Sequence, residues 1–155
     1  MPRVRVANAD DVPAMFDVRL STRENKVTRE SLLNDWGITE ATVAEALDQE
    51  RTIAWVAEVG TVIAGFTIAD RTSGEILVLA VRPEHEGLSI GKDLLHAACT
   101  WLFDNGQESV HLFANPDPSI RAYGFYRYLG WMTTGKMDRG DEEMLLTRAE
   151  FERRQ

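Results

Sequence analysis

The feature that most constrains the fold lies in the middle of the chain, where an apolar strand leads through a loop into a long amphipathic helix. The strand, Glu75–Val81, is continuously apolar after its first residue, which is typical of a strand covered on both faces. The helix, Ile90–Asn105, carries apolar residues at helical spacing and ends before Gly106. Another strand, Ser109–Asn115, follows. This order predicts a strand–loop–helix crossover at the centre of the fold, where we expect the chemistry.

The elements on either side of the crossover predict a mixed α/β fold. A chain of 155 residues fits one domain, which we take to span residues 1–155. Before the crossover, alternation, capping residues and turn glycines predict a first strand at Val4–Val6, a helix from Asp10–Asp11 to about Arg23, two short helices around Gly37, and a hairpin of Thr52–Glu58 and Thr61–Asp70. After it they predict a helix from Asp117-Pro118 to about Tyr128 and two last strands, Trp131–Thr134 and Glu143–Thr147, joined by the polar segment Gly135–Glu142.

Charge and cysteine content exclude several classes of protein. The net charge of -8 argues against a nucleic-acid partner, because binding to a phosphate backbone needs a basic surface. No segment resembles a signal peptide or is apolar enough to cross a bilayer, so we expect no membrane partner and a cytoplasmic location. The lone Cys99 excludes an internal disulfide. His85, His96 and His111 are too dispersed for a ligand set, so we expect no metal.

The loop of the crossover, Arg82–Lys92, is suited to binding an anion, because its small residues let backbone N–H groups converge at the start of a helix. It is not a P-loop, since only three residues separate Gly87 from Gly91 and Asp93 follows the lysine. The segment from Glu75 through this loop into the leucine-rich helix resembles the acetyl-CoA motif of the GNAT superfamily. The later segment Ala122-x-x-Phe125-Tyr126-x-x-x-Gly130-Trp131 resembles a second motif of that superfamily.

The resemblance implies a fold and an activity. The fold would be a central, largely antiparallel sheet of six to seven strands flanked by about four helices. The activity would be N-acetyl transfer from acetyl-CoA, as cosubstrate, to a primary amine of a small molecule or peptide, by direct attack in a ternary complex. The resemblance also makes a homodimer plausible.

The resemblance further implies which residues bind the cofactor. The diphosphate would lie on the loop, formed by Glu86, Gly87, Leu88, Ser89, Ile90, Gly91 and Lys92. The pantetheine arm would lie along the strand end, with backbone contacts from Leu79, Ala80 and Val81 and a hydrogen bond from Asn115. Ser119 stands where the family often has a helix asparagine. Asn115 and Ser119 have an alternative interpretation as a strand terminator and a helix cap.

Two loop residues depart from the family pattern. Glu86 occupies a position where arginine or glutamine is usual, and Ser89 replaces the first glycine of a Gly-x-Gly pair. A left-handed backbone at Ser89 would cost roughly 1–2 kcal/mol, whereas helical dihedrals would cost nothing and would let its hydroxyl donate to a phosphate oxygen.

Acetyl transfer to an amine needs a base and an acid. A lysine-like amine has a pKa of about 10.4, so its deprotonation near neutral pH costs about 4.6 kcal/mol. Tyr126 matches the family tyrosine that protonates the leaving thiolate, and Glu75 resembles the glutamate of the histone-acetylating branch. Asp70, Glu58 or a chain of waters are competing bases. The structural alternatives are that Tyr126 only packs in the core and that Glu75 is a solvated turn residue.

Two other functions remain open at this stage. A non-catalytic acyl-CoA-binding or regulatory domain would bind CoA without turning over any amine. A structural α/β domain would show no stabilisation by acetyl-CoA at all.

Overall fold

Seven strands in residues 2–155, the part of the chain that the computed structural model describes, form two sheets. The first is antiparallel and has the order β1-β2-β3-β4, and the second is antiparallel and has the order β5-β7-β6. The strands are β1 (Arg3–Val6), β2 (Thr52–Val59), β3 (Val62–Asp70), β4 (Ile76–Val81), β5 (Ser109–Ala114), β6 (Met132–Asp138) and β7 (Asp141–Thr147).

Six α-helices accompany the sheets within residues 2–155: α1 (Val12–Ser21), α2 (Arg29–Trp36), α3 (Glu40–Asp48), α4 (Ile90–Asp104), α5 (Arg121–Tyr128) and α6 (Arg148–Arg153). Short 3-10 turns precede α1 and α4. Thr28 and Thr39 cap α2 and α3 by accepting a backbone N–H three residues on. Gly37, in the left-handed conformation at φ 68°, ends α2 and separates the two helices.

The two sheets meet at one short parallel bridge, between Glu75 and His111, where the N–H of His111 donates to the carbonyl of Gly74 (3.1 Å). Strand β5 pairs with β7 along its other edge throughout its length, and beyond the bridge it has no pairing with β4. The register of β3 with β4 also shifts here, so that Leu77 has no partner residue on β3. The fold therefore opens between its two central neighbouring strands.

Buried side chains of β4 contribute to two cores, one on each face of the first sheet. Ile76 packs with Leu94 and Leu102 of α4 in a core that also includes residues of the second sheet. Ala80 packs with Val18 and other residues of α1 on the opposite face. Full burial of a leucine or isoleucine side chain contributes about 1.5–3 kcal/mol. Strand β4 therefore packs on both faces at Ile76 and Ala80, whereas Leu77, at the register shift, is 47% exposed.

The predicted fold class is confirmed, and the structure refines it in three places. Residues 2–155 contain six α-helices rather than about four: α2 and α3 are the two short helices expected around Gly37, and the terminal α6 has no counterpart among the predicted elements. Helix α5 begins at Arg121 rather than at Asp117, because the Asp117 carboxylate accepts the N–H (2.9 Å) and hydroxyl (2.8 Å) of Ser119 in a local turn.

The last hairpin is longer than predicted. Strands β6 and β7 are joined by Arg139 and Gly140 alone, with φ values of 51° and 87°, rather than by the segment Gly135–Glu142. Positive φ at both central residues is the geometry of a tight type I′ turn, which matches the twist of the strands.

Candidate active site

A cavity of about 760 Å³ occupies the opening between the two sheets. Its walls come from β4, β5, α5, the first three helices and the β6–β7 turn. Of the predicted site residues, Glu75, Leu79, Ala80, Asn115 and Tyr126 line it. The cavity is large enough for part of a cosubstrate and for the group that reacts with it.

The open edge of β4 carries backbone groups that do not bond to β3. The N–H of Arg82 donates to the carbonyl of Ala64 (2.8 Å), which fixes the hydrogen-bonded pairs of this ladder. Because such pairs alternate in an antiparallel sheet, Leu79 and Val81 direct their N–H and C=O groups away from β3, whereas Ala80 directs its own towards it. Leu79 and Val81 can therefore bond to an extended, amide-bearing chain in the gap.

Strand β5 presents the facing edge in the same way. The N–H of Arg148 donates to the carbonyl of Glu108 (3.0 Å), so His111 and Phe113 direct their backbone groups towards β4. The N–H of His111 is used in the bridge to Gly74, and Phe113 lies beyond it. The gap is thus bordered by two strand edges with free hydrogen-bonding groups.

The loop before α4 has a run of unused backbone donors. The first helical hydrogen bond is from Asp93 to Ser89 (3.0 Å), and the N–H groups of Gly87–Lys92 donate to no acceptor within residues 2–155. Gly87 and Ser89 are both left-handed, with φ values of 85° and 62°. Consecutive N–H groups at the start of a helix form an anion-binding concavity.

Ser89 adopts the left-handed conformation that the sequence left as one of two options. Its hydroxyl makes no cap hydrogen bond to α4, so the side chain does not offset the backbone strain. The conformation is nevertheless the one that turns the chain from the loop into the helix.

The carboxylate of Glu86 forms an ion pair with the guanidinium of Arg121, the first residue of α5. The backbone N–H of Arg121 also donates to Oε2 of Glu24 (3.0 Å), from the connection between α1 and α2. The negative charge of Glu86, beside the unused N–H groups of the loop, is therefore neutralised by a residue distant in sequence. Arg121 was not identified from the sequence, since only its contact with Glu86 distinguishes it.

Tyr126 lies in the wall of the cavity and is 9% exposed. Its ring packs edge-on against Phe125 (5.1 Å between centroids) and Trp131 (5.7 Å). The hydroxyl makes no hydrogen bond within residues 2–155, and burial raises the pKa of Tyr126 above its ordinary value. The phenol therefore stays protonated near neutral pH and is available as a donor.

Glu75 lies at the bridge between the sheets, with Oε1 3.8 Å from Nε2 of His111. Burial is the largest cause that raises the pKa of Glu75, and His111 opposes it. The carboxylates of Asp70, Asp138 and Glu143 raise the pKa further. Such a carboxylate takes up a proton more readily than an exposed one. The contact with His111 is a tertiary one and has no local sequence signal.

The two competing carboxylates have other partners. Oδ1 of Asp70 accepts the N–H groups of Thr72 and Ser73 (both 2.8 Å), and Glu58 accepts from Arg5 (2.7 Å). Neither Asp70 nor Glu58 lines the cavity, whereas Glu75 does.

Asn115 and Ser119 are both engaged in turn contacts. Nδ2 of Asn115 donates to Oδ1 of Asn25 (3.3 Å), and its Oδ1 accepts the N–H of Asp117 (2.9 Å). The hydroxyl of Ser119 donates to Asp117 (2.8 Å), and Ser119 does not line the cavity. Asn115 and Ser119 thus both contribute to the turn before α5, although the N-cap of that helix is Ile120 and not Ser119.

The cavity is covered by the α1–α2 connection (residues 22–28) and by the end of α2. Arg19 holds the connection by donating to Oγ1 of Thr22 and to the carbonyl of Asn25 (both 2.9 Å). At the other end, the guanidinium of Arg139 lies 4.1 Å from the ring centroid of Trp36, a cation–π contact across the opening. These contacts join elements on both sides of the gap.

The fold and this open gap define the class of protein. The family model described as "Acetyltransferase (GNAT) family" matches residues 15–131, so the chain belongs to the GNAT acetyltransferase family. The resemblance noted in the sequence is thereby confirmed. The comparison with curated proteins gave no match.

Solved structures share the fold over nearly the whole chain. The PaiA N-acetyltransferase of Thermoplasma acidophilum, in complex with coenzyme A, has a TM-score of 0.81 at 18% identity and covers 95% of this chain and 99% of its own. The ribosomal-protein-S18-alanine N-acetyltransferase of Escherichia coli has a TM-score of 0.70 at 18% identity, covering 94% and 91%.

A further neighbour carries the acetylated cofactor. YncA of Salmonella typhimurium, a putative acetyltransferase solved with acetyl-CoA, has a TM-score of 0.73 at 15% identity and covers 95% of this chain and 94% of its own. At these identities the likeness is one of fold.

Residues 2–155 contain neither a membrane-spanning helix nor a cluster of metal-ligating side chains. No helix in this range is long and apolar enough to cross a membrane. No three or more His, Cys, Asp or Glu side chains in it come together as a metal site. Cys99 is buried in α4, which raises the pKa of its thiol to about 12, and a thiol of this kind is not a nucleophile at neutral pH.

Proposed function

We propose that the protein is an N-acetyltransferase that moves the acetyl group of acetyl-CoA to a primary amine of a small molecule or peptide. The observation that carries the proposal is the run of unbonded N–H groups at Gly87–Lys92. This run lies at the end of the open gap between β4 and β5. The CoA and acetyl-CoA in the structures of PaiA and YncA support acetyl-CoA as the cosubstrate.

In this proposal the loop and the strand edges bind different parts of acetyl-CoA. Backbone N–H groups of residues 87–92 would hold the diphosphate, and the exposed side chain of Lys92 would add a positive charge. The free groups of Leu79 and Val81 would bond to the amides of the pantetheine arm. Asn115, in the cavity wall, would exchange its contact with Asn25 for the same arm.

The remaining side chains of the cavity supply acid–base chemistry. Glu75 would accept the proton of the acceptor ammonium group, so that the neutral nitrogen attacks the thioester carbon in a ternary complex. As the carbon–sulfur bond breaks, the hydroxyl of Tyr126 would donate its proton to the leaving sulfur. Groups of this kind typically contribute around 10²- to 10⁴-fold in rate.

A non-catalytic acyl-CoA-binding domain is the second candidate. Its motivation is the departure of the loop from the family pattern at Glu86 and Ser89. Such a domain would keep the fold and bind CoA without turning over any amine.

Incubation with acetyl-CoA and a broad panel of amines separates the two candidates. Release of free thiol together with an acetylated product of the expected mass supports the enzyme. Saturable heat of binding with CoA but no product from any amine supports the binding domain. Well-folded protein that shows no heat with CoA at millimolar concentration contradicts both.

A further inference from the structure

We propose that Arg121 is a cofactor-binding residue that donates to a phosphate group of acetyl-CoA, and that its ion pair with Glu86 holds it in place for this contact. The inference rests on the proposed function. It names a second source of positive charge for the loop, on an element that lies outside the loop.

The ion pair places the guanidinium beside the unused N–H groups. Glu86 is the residue directly before Gly87, where the run of free donors begins. One nitrogen of Arg121, Nη1, contacts the Glu86 carboxylate, and its other guanidinium nitrogens have no acceptor within residues 2–155. The Arg121 side chain is 60% exposed, so these donors are accessible to a ligand at the loop. A guanidinium with free donors is suited to phosphate geometry.

The charges around the loop also favour a contact between Arg121 and a phosphate. The carboxylate of Glu86 would repel a diphosphate bound to the adjacent N–H groups, and the paired guanidinium removes that repulsion. Arg82, at the other end of the loop, donates from its Nε to the carbonyl of Ile63 on β3 (3.0 Å), so its guanidinium is held towards β3, whereas that of Arg121 is held at the residue before Gly87. Arg121 is thus the arginine whose position fits a phosphate at this loop.

The backbone of Arg121 is also fixed. Its N–H donates to Glu24 (3.0 Å), which anchors the first turn of α5 to the α1–α2 connection. A side chain that starts from an anchored helix end and is held by Glu86 loses little conformational entropy when a ligand binds. Glu86 is then a positioning residue for Arg121.

The competing explanation is that the pair only ties the loop to α5. The two explanations differ in their dependence on phosphate. A structural tie affects every ligand of the gap, whereas a phosphate contact affects only ligands that carry phosphate.

The experiment measures dissociation constants for CoA and for S-acetylpantetheine, which lacks the phosphates, in four proteins besides the wild type. These are Arg121→Gln, Glu86→Gln, the double variant and the control Arg3→Gln, which removes one positive charge from an exposed side chain of β1. Circular dichroism and the melting temperature establish that each is folded.

We expect Arg121→Gln to weaken CoA binding by about tenfold or more, as for the loss of a charge-assisted hydrogen bond. S-acetylpantetheine binding should stay within about twofold of wild type in the same variant, as should CoA binding in Arg3→Gln. The double variant should bind CoA more tightly than Arg121→Gln, because the unpaired carboxylate is gone.

An Arg121→Gln protein that binds CoA as tightly as the wild type overturns the proposal and leaves the proposed function intact. Equal weakening for CoA and S-acetylpantetheine also overturns it, in favour of a structural tie. A wild-type protein that binds neither ligand removes the proposed function itself. The same measurement with 3′-dephospho-CoA identifies the phosphate that Arg121 contacts. If Arg121→Gln weakens the binding of this ligand as much as that of CoA, the contact is with the diphosphate; if it does not weaken it, the contact is with the 3′-phosphate.

Discussion

Ser89 holds a backbone conformation that glycine adopts at lower cost. Its φ of 62° and ψ of 16° are left-handed, and its hydroxyl does not cap α4. Replacement by glycine removes the clash of Cβ but gives the unfolded chain more freedom, and the two effects partly cancel.

We expect Ser89→Gly to raise the free energy of unfolding by about 0.5–1 kcal/mol, as measured by urea denaturation. The control is Ser21→Gly at the end of α1, where the backbone is helical and glycine should lower the free energy of unfolding by a similar amount. A destabilised Ser89→Gly would mean that the left-handed serine is not strained.

The hydroxyl of Tyr126 is the group whose removal best separates catalysis from packing. Because it makes no hydrogen bond within residues 2–155, Tyr126→Phe should leave the melting temperature within a few degrees of wild type. Turnover should nevertheless fall by about 100-fold, with CoA affinity unchanged. Tyr128→Phe, at a side chain that is 79% exposed, serves as the control. Unchanged turnover in Tyr126→Phe would assign the residue to the core alone.

His111 should affect the pH dependence of catalysis through Glu75. Glu75 acts as a base only when ionised, so kcat falls as the pH drops through its pKa. Burial raises that pKa and His111 lowers it, so His111→Gln should move the acid limb of the kcat profile to higher pH.

The matched control for this shift is His96→Gln, at a histidine of α4 that contacts Gln155 (2.7 Å). Its profile should coincide with that of the wild type. An acid limb that does not move in His111→Gln would indicate that another group is the base.

At the scale of elements, substitutions at Gly91, in the first turn of α4, test whether the diphosphate binds at this helix end. A Cβ built at Gly91 would lie 3.6 Å from the ring of Phe125 and 3.8 Å from Val81, which is ordinary contact. Gly91→Ala should therefore fold and bind CoA. Gly91→Glu should fold but lose CoA binding by about 100-fold or more in calorimetry, because its carboxylate would repel a phosphate at the helix start.

Gly124→Glu, at a position on α5 with no atom near the added Cβ, is the control for the charge itself. Retained CoA affinity in Gly91→Glu would show that the diphosphate does not lie on this helix end.

The end of α2 forms part of the cavity wall, and we propose that the acceptor amine binds against it. Trp36 is 53% exposed and lies under Arg139 of the β6–β7 turn. Trp36→Ala should raise the KM for the acceptor by about tenfold while the dissociation constant of CoA stays the same. Leu33→Ala, at an equally exposed position on α2, should change neither. A parallel loss of CoA affinity in Trp36→Ala would place this helix in the cofactor site.

At the scale of the whole molecule, the two sheets of residues 2–155 share only the bridge at Glu75 and His111 along their facing strands. From there the strand edges run free along the gap, with the loop before α4 on one side and α5 on the other. Contacts from Glu24 to Arg121 and from Trp36 to Arg139 cross the gap. The proposed cofactor site and the proposed acceptor site therefore involve elements that touch one another.

Local patterns in the sequence were sufficient for most of the elements. The apolar run of β4 and the helical spacing of apolar residues in α4 identified the crossover. A strand that packs on both faces has a continuous apolar run, and a helix that packs on one face has apolar residues at helical spacing. The start of α5 was misplaced because Asp117-Pro118 can open a helix or form a turn, and here it forms a turn with Ser119. The last hairpin was misplaced because every residue of β6 is exposed, so its pairing with β7 leaves no apolar alternation in the sequence.

By itself the sequence determined the fold class, the loop and the residues that a family motif marks, since these depend on periodicity, backbone preference and local spacing. Only the tertiary structure decided that the sheets part after Glu75, that Glu75 faces His111 and that Arg121 neutralises Glu86. These contacts join residues 35 or more positions apart, whose meeting depends on how whole elements pack and leaves no trace in the spacing of either partner.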